Sequence, residues 1–505
     1  MRRRIPGAAH VTSVLFRHAR LALERSLEHV LINDGRVADA GDIRGQTHIA
    51  EVIDLDGRWL LPGLWDRHVH FDQWAQTSAR LDLADTGSAV AAAQLVAAHL
   101  EGRGHGLDTP VVGYGFRDAL WPDTPHRDIL DAVTGGVPVL LIGADLHSAW
   151  LNSAALRRFG HAEHATGLLR EEAAMHVIAE VANVTDAVSD AWCRAASRAA
   201  AARGVVGIVD MERPWSLDAW RRRIGLGDRW LRVASSVWPE RLDDAIARHL
   251  HSGDVVDGTG GLLTVGPLKT IIDGSLNTRT ARCNDAYSLP AGGEENFGVL
   301  LVEPGELSWL LRRATDAGLD CAVHAIGDRA NSVALQAFAG TGAHGSIEHA
   351  QLLDDADVAR FAQLRVVASV QPEHALDDRD VADRYWAGRT RRAFPLRSLL
   401  DAGAVVSFGS DAPVAPLDPW LAIGAAVHRA RDERPRWHPE QEISVAEALA
   451  ASMGPGRVDP WLRAGDPADV VVLDADPFTA APSELRTMKV AATMLGGVWT
   501  HRAGI

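Results

Sequence analysis

The sequence predicts an α/β protein built on a (β/α)8 barrel, with a small β-sandwich domain and an α-rich insertion after the first barrel strand. Eight apolar runs alternate with helical stretches in the middle of the chain, and short alternating strands occur at both ends. About 130 residues separate the first apolar run from the second, far more than one crossover helix needs. With 505 residues, the chain is also longer than a single core usually holds.

Both ends of the chain carry strands that predict one shared β-sandwich domain, over residues 1–62 and 455–505. Near the amino terminus, apolar and polar residues alternate around glycine turns in the segments HVLINDGRVADAGD and EVIDLDGRWLLPG. Near the carboxyl terminus, further strands are predicted in ADVVVLDADPF and VAATMLGGVWTH. Two strand-rich ends that flank a long middle segment favour a discontinuous domain formed by both.

The barrel is expected over residues 63–454, with its inserted subdomain at about 80–200. Strands buried in a parallel barrel are short, almost continuously apolar runs, and each is followed by a helix. Eight such runs are present, at 64–71, 205–211, 231–238, 263–273, 320–326, 344–349, 365–371 and 404–411. The carboxyl ends of parallel strands form one face of a barrel, and active sites lie on that face.

Composition and charge exclude several classes of protein. The net charge of −15 argues against a nucleic-acid-binding protein, which would present a basic face. Arg17 and His18 interrupt the apolar part of the amino-terminal segment, which makes it a poor signal peptide. No apolar run approaches the roughly 18 residues of a membrane span, and three cysteines give no disulfide framework. A cytoplasmic protein without membrane or nucleic-acid partners is expected, and its sheet domain and exposed helices are compatible with a homodimer.

Two H-x-H pairs occur in the chain, and secondary structure distinguishes them. With 22 histidines in 505 residues, about one such pair is expected by chance. His68 and His70 follow an apolar strand, where residues i and i+2 point to the same side and can bind one ion. His249 and His251 lie in a helical stretch, where these two positions diverge by about 200°. Only the first pair is a candidate metal site.

Four further residues with metal-binding or acid–base chemistry stand late in other barrel strands or directly after them: Lys269, His324, His349 and Asp411. Each has a structural alternative, since a histidine at a strand end is often a hydrogen-bonded core residue and an aspartate there can cap the next helix. Five strands that all end in such residues favour one shared pocket. Four imidazoles and a carboxylate suit zinc or a similar metal.

Lysine is rare in this chain, which makes Lys269 a distinctive residue. Only two of the 51 lysines and arginines are lysines, Lys269 and Lys489. Lys269 lies inside an apolar strand, where burial disfavours the charged ammonium and lowers the pKa of the amine. An arginine would keep its charge there, so the sequence indicates a role for a neutral amine.

The order of these residues along the strands resembles that of the amidohydrolase superfamily. Within it, the chain is similar to the YtcJ-like amidohydrolases, the group that includes N-substituted formamide deformylases. The similar stretches span nearly the whole chain: LLPGLWDRHVHF, HSAWLNSAAL, GLLRE, KTIIDGSLNTRTA, HAIGDRA, EHAQ, QPEH, FGSDAPV and AGDPADVVVLDADPF. One departure is Asn277, which stands where the family pattern has a glycine after the leucine.

The resemblance implies a metal-dependent hydrolase that cleaves a C–N bond of an amide-like small molecule, with a binuclear centre expected to hold two zinc ions. The ligands that it implies are His68, His70, Lys269, His324, His349 and Asp411. The first two histidines and Asp411 would bind one metal, and the other two histidines the second. Lys269, as a carbamate formed with CO2, would bridge the metals; a lysine that only orients substrate is the alternative. Asp411 would act as the general acid and base.

Four residues are candidate substrate contacts. Trp74 follows the first strand, Arg279 and His374 follow the fourth and seventh strands, and His147 lies in the insertion. The structural alternatives are core packing for the tryptophan and a surface salt bridge for the arginine. The many Trp and Leu residues beside few polar candidates lean toward an apolar N-substituent on the substrate.

Two other functions stay open from the sequence. A mononuclear deaminase of the same superfamily would carry a glutamate three residues after the strand-five histidine, and Gly327 occupies that position. A non-catalytic barrel would have lost ligands, and all of them are present. The sequence favours amide hydrolysis, although a phosphoester or lactone substrate is compatible with the same ligands.

Overall fold

The computed structural model of the chain describes residues 13–21, 26–38, 49–101, 110–118, 121–143, 148–213, 215–288 and 295–505. The chain divides into two compact units. One consists of Met1–Phe71 together with Ser197–Ile505, and the other of Asp72–Ala196. Within the described ranges, every helix is too short or too polar to cross a membrane.

The first unit contains the predicted barrel. Its sheet has eight parallel strands, which follow one another in chain order: Leu64–Val69, Val205–Asp210, Arg232–Val237, Leu263–Ile271, Cys321–Ala325, Gly345–His349, Val367–Val370 and Val406–Phe408. The first and eighth strands meet through a parallel bridge between Val69 and Ala412. Every strand overlaps the run predicted for it, and the predicted fold class is confirmed.

The helix Pro304–Asp316 shows how an apolar face packs a helix of the first unit on the barrel. In Pro304–Asp316 the buried residues Leu307, Leu311 and Ala314 recur at helical spacing and share a core with Ile347 of the sixth strand. The helices are Leu217–Gly225, Leu242–Ala247, Pro304–Asp316, Asp328–Thr341, Asp355–Leu364, Pro372–Asp377, Arg379–Tyr385, Leu396–Asp401, Pro419–His428 and Val445–Ala451. Single 3-10 turns occur at Pro239–Arg241, Thr390–Arg392 and Pro439–Gln441.

Both ends of the chain form the predicted β-sandwich. One four-stranded sheet contains Val14–Ala19, Glu28–Asn33, Arg36–Val37 and Glu51–Asp54. The other contains Trp59–Pro62, Val470–Leu473, Val490–Leu495 and Val498–Arg502. The helix Pro482–Arg486 connects the second of these strands to the third. Phe16 and Ile32 from the first sheet share one buried core with Val470 and Met494 from the second, so neither sheet buries its apolar face alone.

The second unit holds the predicted insertion, and it contains a sheet as well as helices. Its helices are Phe71–Ser78, Ala89–Glu101, Arg127–Thr134, Ser153–Arg158, Glu171–Ala182 and Asp186–Ala201, of which the first and last continue into the first unit. Its five strands are Leu81–Asp82, Val111–Phe116, Val139–Gly143, Ser148–Leu151 and Leu168–Arg170. The sequence predicted only the helices of this insertion, because several of its strands are too short to show an alternating pattern.

A β-bulge in the first barrel strand positions residues of the candidate site. The strand pairs with Val205–Asp210, and the register shifts between Asp66 and Val69, where the first strand has one more residue than its partner. Because the bulge interrupts the alternation of sides, Arg67 and His68 both face the barrel interior. His68 hydrogen-bonds Glu348, and Arg67 lines an interior cavity that Glu348 also lines.

Candidate metal centre

The six predicted ligands lie at the carboxyl ends of five barrel strands, on the face where barrel active sites are built. Lys269 Nζ lies 3.4 Å from His68 Nε2. The ring of His349 packs against the rings of His68 and His324, with centroids 4.9 and 4.4 Å away. Residues that are far apart in sequence thus meet in one cluster, as the strand order predicted.

Asp411 is the residue on which the H-x-H pair converges. Nε2 of His68 and Nε2 of His70 lie 3.4 and 3.5 Å from the same atom, Oδ1 of Asp411. Asp411 N donates a hydrogen bond to the His68 carbonyl at 2.7 Å, which joins the ends of the first and eighth strands. The φ of Asp411 is 56°, a left-handed conformation that is uncommon outside glycine and concentrates at functional sites.

Electrostatics keep the Asp411 carboxyl ionised. Burial disfavours the charged form, but the facing imidazoles of His68, His70 and His349 outweigh it and hold the pKa well below its usual range. Burial also lowers the pKa of His349 well below its usual value. Asp411 is therefore ionised and His349 is neutral, which are the protonation states that metal ligands need.

A second group shares Asp411. His349, His374 and Asp411 each have a ligand-type atom, and these atoms lie within 4.8 Å of one another. The ring of His374 stacks on that of His349, with centroids 6.3 Å apart and planes 13° from parallel. His374 was predicted to contact substrate, and it lies buried among the predicted ligands.

His324 faces a buried carboxylate. Its Nε2 lies 3.4 Å from Oδ1 of Asp273. The two oxygens of the Asp273 carboxylate together accept backbone hydrogen bonds from Ile326, Gly327 and Arg282. Burial raises the pKa of Asp273 to about 7 against these three donors, and burial lowers the pKa of His324 to about 3. The imidazole is therefore neutral.

Lys269 is buried, as its apolar strand predicted. Only 1% of the residue is exposed. Burial lowers the pKa of its amine, and this effect exceeds the opposing influence of the Glu348 and Asp411 carboxylates. The amine is thereby made easier to deprotonate.

Two buried carboxylates support this cluster and were not identified from the sequence. Oε2 of Glu348 accepts a hydrogen bond from His68 Nδ1 at 2.7 Å; burial opposes its charge, but the bond from His68 outweighs this and lowers its pKa to about 2. Oδ1 of Asp66 accepts backbone hydrogen bonds from His68 and Ser410 at 3.1 and 3.0 Å. Each is a charged residue within a predicted buried strand, and this could have identified both, because a buried charge needs a partner.

The side chains present fit a divalent metal ion. Four ring nitrogens are buried and have no hydrogen-bond partner among the described residues: His70 Nδ1, His324 Nε2, His349 Nδ1 and His374 Nε2. Leaving a buried polar atom unsatisfied costs about 1–3 kcal/mol, so a cluster of such atoms indicates a missing partner. Imidazole nitrogens combined with a carboxylate are the ligands of zinc and similar metals.

The other predicted substrate contacts have different environments. Arg279 is exposed, and its guanidinium lies over the ring of Tyr385, 5.3 Å from the centroid. Trp74 is half-buried on the helix Phe71–Ser78 of the second unit. His147 lies outside the described residues. His374 lies at the ligand cluster, beside His349 and Asp411.

Comparison with known proteins gives a consistent family assignment. The amidohydrolase family profile matches residues 51–501. Among curated proteins, LONG AFTER FAR-RED 3 of Arabidopsis thaliana is 29% identical, over 88% of this chain and 82% of its own. The putative amidohydrolase YtcJ of Bacillus subtilis is 27% identical, over 93% and 95%. The N-substituted formamide deformylase of Arthrobacter pascens is 26% identical, over 93% and 94%.

A solved structure extends the likeness to the fold. An uncharacterized metal-dependent hydrolase from Pyrococcus horikoshii superposes with a TM-score of 0.76 at 26% identity, and the match covers 93% of this chain and 99% of that one. The resemblance to YtcJ-like amidohydrolases that the motifs predicted is confirmed. The chain therefore belongs to the amidohydrolase family and is a metal-dependent hydrolase.

Proposed function

We propose that this protein hydrolyses the C–N bond of an amide and that N-substituted formamides are its substrate class. The observation that carries the proposal is the convergence of His68 Nε2 and His70 Nε2 on Asp411 Oδ1, at 3.4 and 3.5 Å. Buried imidazole nitrogens without partners in the described part of the chain lie in the same cluster. The likeness to the N-substituted formamide deformylase supports the substrate class.

The proposed ligands form two sets around Asp411. His68, His70 and Asp411 would hold one ion, and His324 and His349 would hold the other, with zinc as the proposed metal. Bound there, two divalent ions would supply a polarised water and a Lewis acid for the substrate carbonyl. Neutral imidazoles are required at these positions, and burial favours the neutral form of both His324 and His349.

Asp411 performs the proton transfers in this proposal. Its ionised carboxylate accepts a proton from the attacking water and then donates that proton to the leaving nitrogen. The backbone hydrogen bond from Asp411 N to the His68 carbonyl, at 2.7 Å, positions the main chain that carries this carboxylate. One carboxylate can therefore act first as the base and then as the acid.

Lys269 is proposed to bridge the two ligand sets as a carbamate. A neutral amine adds CO2 and releases one proton, which leaves an N-carboxylate with two oxygens. Burial of Lys269 favours the neutral amine that this reaction needs. Its Nζ lies 3.4 Å from Nε2 of His68, so the group would form among the other ligands.

Deamination is the less favoured alternative. That reaction would use a glutamate at the position of Gly327, three residues after His324. A Cβ atom at Gly327 would lie 2.0 Å from the carbonyl oxygen of Arg282, and Gly327 N already donates to Asp273 at 2.9 Å. No side chain fits there without moving the backbone, and this argues against the deaminase arrangement.

The proposal is tested by assaying the metal-loaded enzyme with N-benzylformamide, N-butylformamide, the matching acetamides and a heterocyclic amine such as adenine. Release of formate is expected, with kcat reduced about 100-fold or more by Asp411→Asn at nearly unchanged metal content. Asp418→Asn is the matched control, because Asp418 follows the same strand but caps the helix Pro419–His428.

The two ways in which the proposal can fail are distinguishable. Ammonia from adenine without formate from any formamide would replace amide hydrolysis by deamination. Formate release with an undiminished kcat in Asp411→Asn would keep the substrate class and remove Asp411 from proton transfer.

A further inference from the structure

The barrel interior below the ligand cluster is not filled. Barrels of this kind are usually packed by layers of branched apolar side chains. Here small residues occupy several inward positions, and a cavity of about 400 Å³ lies between the cluster and the amino-terminal ends of the strands. Small residues from five different strands line it: Ala234, Gly266, Ser346, Ser369 and Ser407. Its volume is in the range of small-molecule binding sites.

Arg67 provides a positive charge inside this cavity. The bulge in the first strand turns its side chain inward beside His68. The Arg67 Nε atom is buried without a hydrogen-bond partner, and within the part of the chain that the structure describes no carboxylate forms an ion pair with this guanidinium. Arginine stays protonated under all ordinary conditions, and its Nε–H is a buried donor that lacks an acceptor among the described residues. The guanidinium therefore needs an acceptor.

Ser369 adds a second unsatisfied group to the same cavity. The residue is 2% exposed, and its Oγ has no partner among the described residues. A hydroxyl and a guanidinium that line one cavity are both hydrogen-bond donors, so an acceptor with negative charge would satisfy them together.

Among the described charged residues that line the cavity, Arg67 lies in the interior and forms no ion pair. Glu348 is the carboxylate in the inner wall, and it is engaged by His68 Nδ1 and Ser346 Oγ. At the mouth, the exposed residues are Arg365, His344 and Asp320. The interior thus offers donors and a guanidinium on which the Glu348 charge acts without a direct ion pair, while the oxygens of Glu348 are already hydrogen-bonded.

We propose that this cavity is a binding site for a small oxyanion, a carboxylate or phosphate-type group held by Arg67 and Ser369. The site is separate from the hydrolytic centre and does not depend on the proposed reaction. Glu348 belongs to both places, since it forms part of the cavity wall and hydrogen-bonds the predicted ligand His68.

The proposal is tested on the metal-loaded protein with sulfate, a poor metal ligand, at ionic strength matched with sodium chloride. Calorimetric titration is expected to show sulfate binding that Arg67→Gln weakens about ten-fold or more, the loss of one charge-assisted hydrogen bond. Arg391→Gln makes the same charge change at an exposed position and is expected to bind as the wild type does.

A second variant covers the case in which Arg67→Gln fails to fold. Ala234→Leu keeps every charge and fills part of the cavity, and it is expected to lose sulfate binding while its metal content stays unchanged. In crystals soaked with selenate, anomalous density is expected beside Arg67 and Ser369. Equal sulfate affinity in wild type and Ala234→Leu, or selenate only at the metal centre or the surface, overturns the proposal.

Discussion

Oε2 of Glu348 accepts a hydrogen bond from Nδ1 of His68 at 2.7 Å, and both side chains are 1% exposed. A carboxylate has only acceptors, so it fixes the proton of a neutral His68 on Nδ1. Burial lowers the pKa of His68 and favours this neutral form. Nε2 then keeps its lone pair, and this atom faces Asp411 Oδ1 at 3.4 Å. The pair selects the tautomer that can bind a metal.

Glu348→Gln is expected to weaken metal binding by about 10- to 100-fold, the usual effect of removing a partner that orients a ligand. Glutamine retains an oxygen acceptor but not the charge that increases the basicity of His68. The measurement is a metal titration against a competing chelator. Glu447→Gln, a glutamate on the helix Val445–Ala451, is the control. Wild-type affinity in Glu348→Gln would show that the contact is only structural.

Lys269→Ala is expected to reduce the metal content from two ions per chain to one or none, because the proposed bridge between the two ligand sets is removed. Elemental mass spectrometry of protein purified without chelator measures this. A carbamate signal in the carbon-13 spectrum after growth with labelled bicarbonate is expected for the wild type only. Two metals in Lys269→Ala, or no carbamate signal in wild type, would assign the lysine a non-bridging role.

His374→Ala is expected to lower kcat/KM about 100-fold while metal content stays at the wild-type level. The buried Nε2 of His374 has no partner among the described residues and lies next to His349 and Asp411, where it can hydrogen-bond a developing oxyanion. His428→Ala serves as the control, because His428 lies outside the cluster and its buried Nε2 also has no partner within the described ranges. Loss of metal from His374→Ala would instead make this residue a ligand.

The barrel and the clustering of the candidate ligands could be predicted because their signals are local. Each buried strand is an apolar run of a few residues, and a polar residue that ends such a run stands out, as Lys269 and His324 do. Parallel strand order then brings these ends to one face without further information. The sheet of the insertion gave no comparable signal, since Leu81–Asp82 and Leu168–Arg170 contain only two and three residues.

The supporting residues could not be predicted because they depend on contacts distant in sequence. Nothing in the segment EHAQ indicates that Glu348 pairs with His68, which lies 280 residues away. The inward side chain of Arg67 depends on a bulge, and a strict alternation would have turned it away from His68. His374 was identified as a functional residue, but its position beside His349 required the structure.

The stability of the barrel's last helix is expected to depend on pH through Glu447. Its carboxylate pairs with Arg397 at 2.9 Å and accepts hydrogen bonds from the backbone and side chain of Ser444, at 2.8 and 2.7 Å, in a capping box. Burial opposes the charge, but these partners outweigh it and lower the pKa from 4.5 to about 2.

Because the folded-state pKa is depressed, the stabilisation from Glu447 is fully present above about pH 4.5 and is lost as the pH falls toward 2. At pH 7, Glu447→Gln is expected to lower the thermal midpoint, by an amount that corresponds to about 1 kcal/mol for a helix cap. The difference from wild type should shrink steadily between pH 4.5 and 2 in scanning calorimetry. Glu306→Gln, at an exposed position in Pro304–Asp316, should show a smaller effect. A difference that is constant with pH would mean that the carboxylate charge does not contribute to the cap.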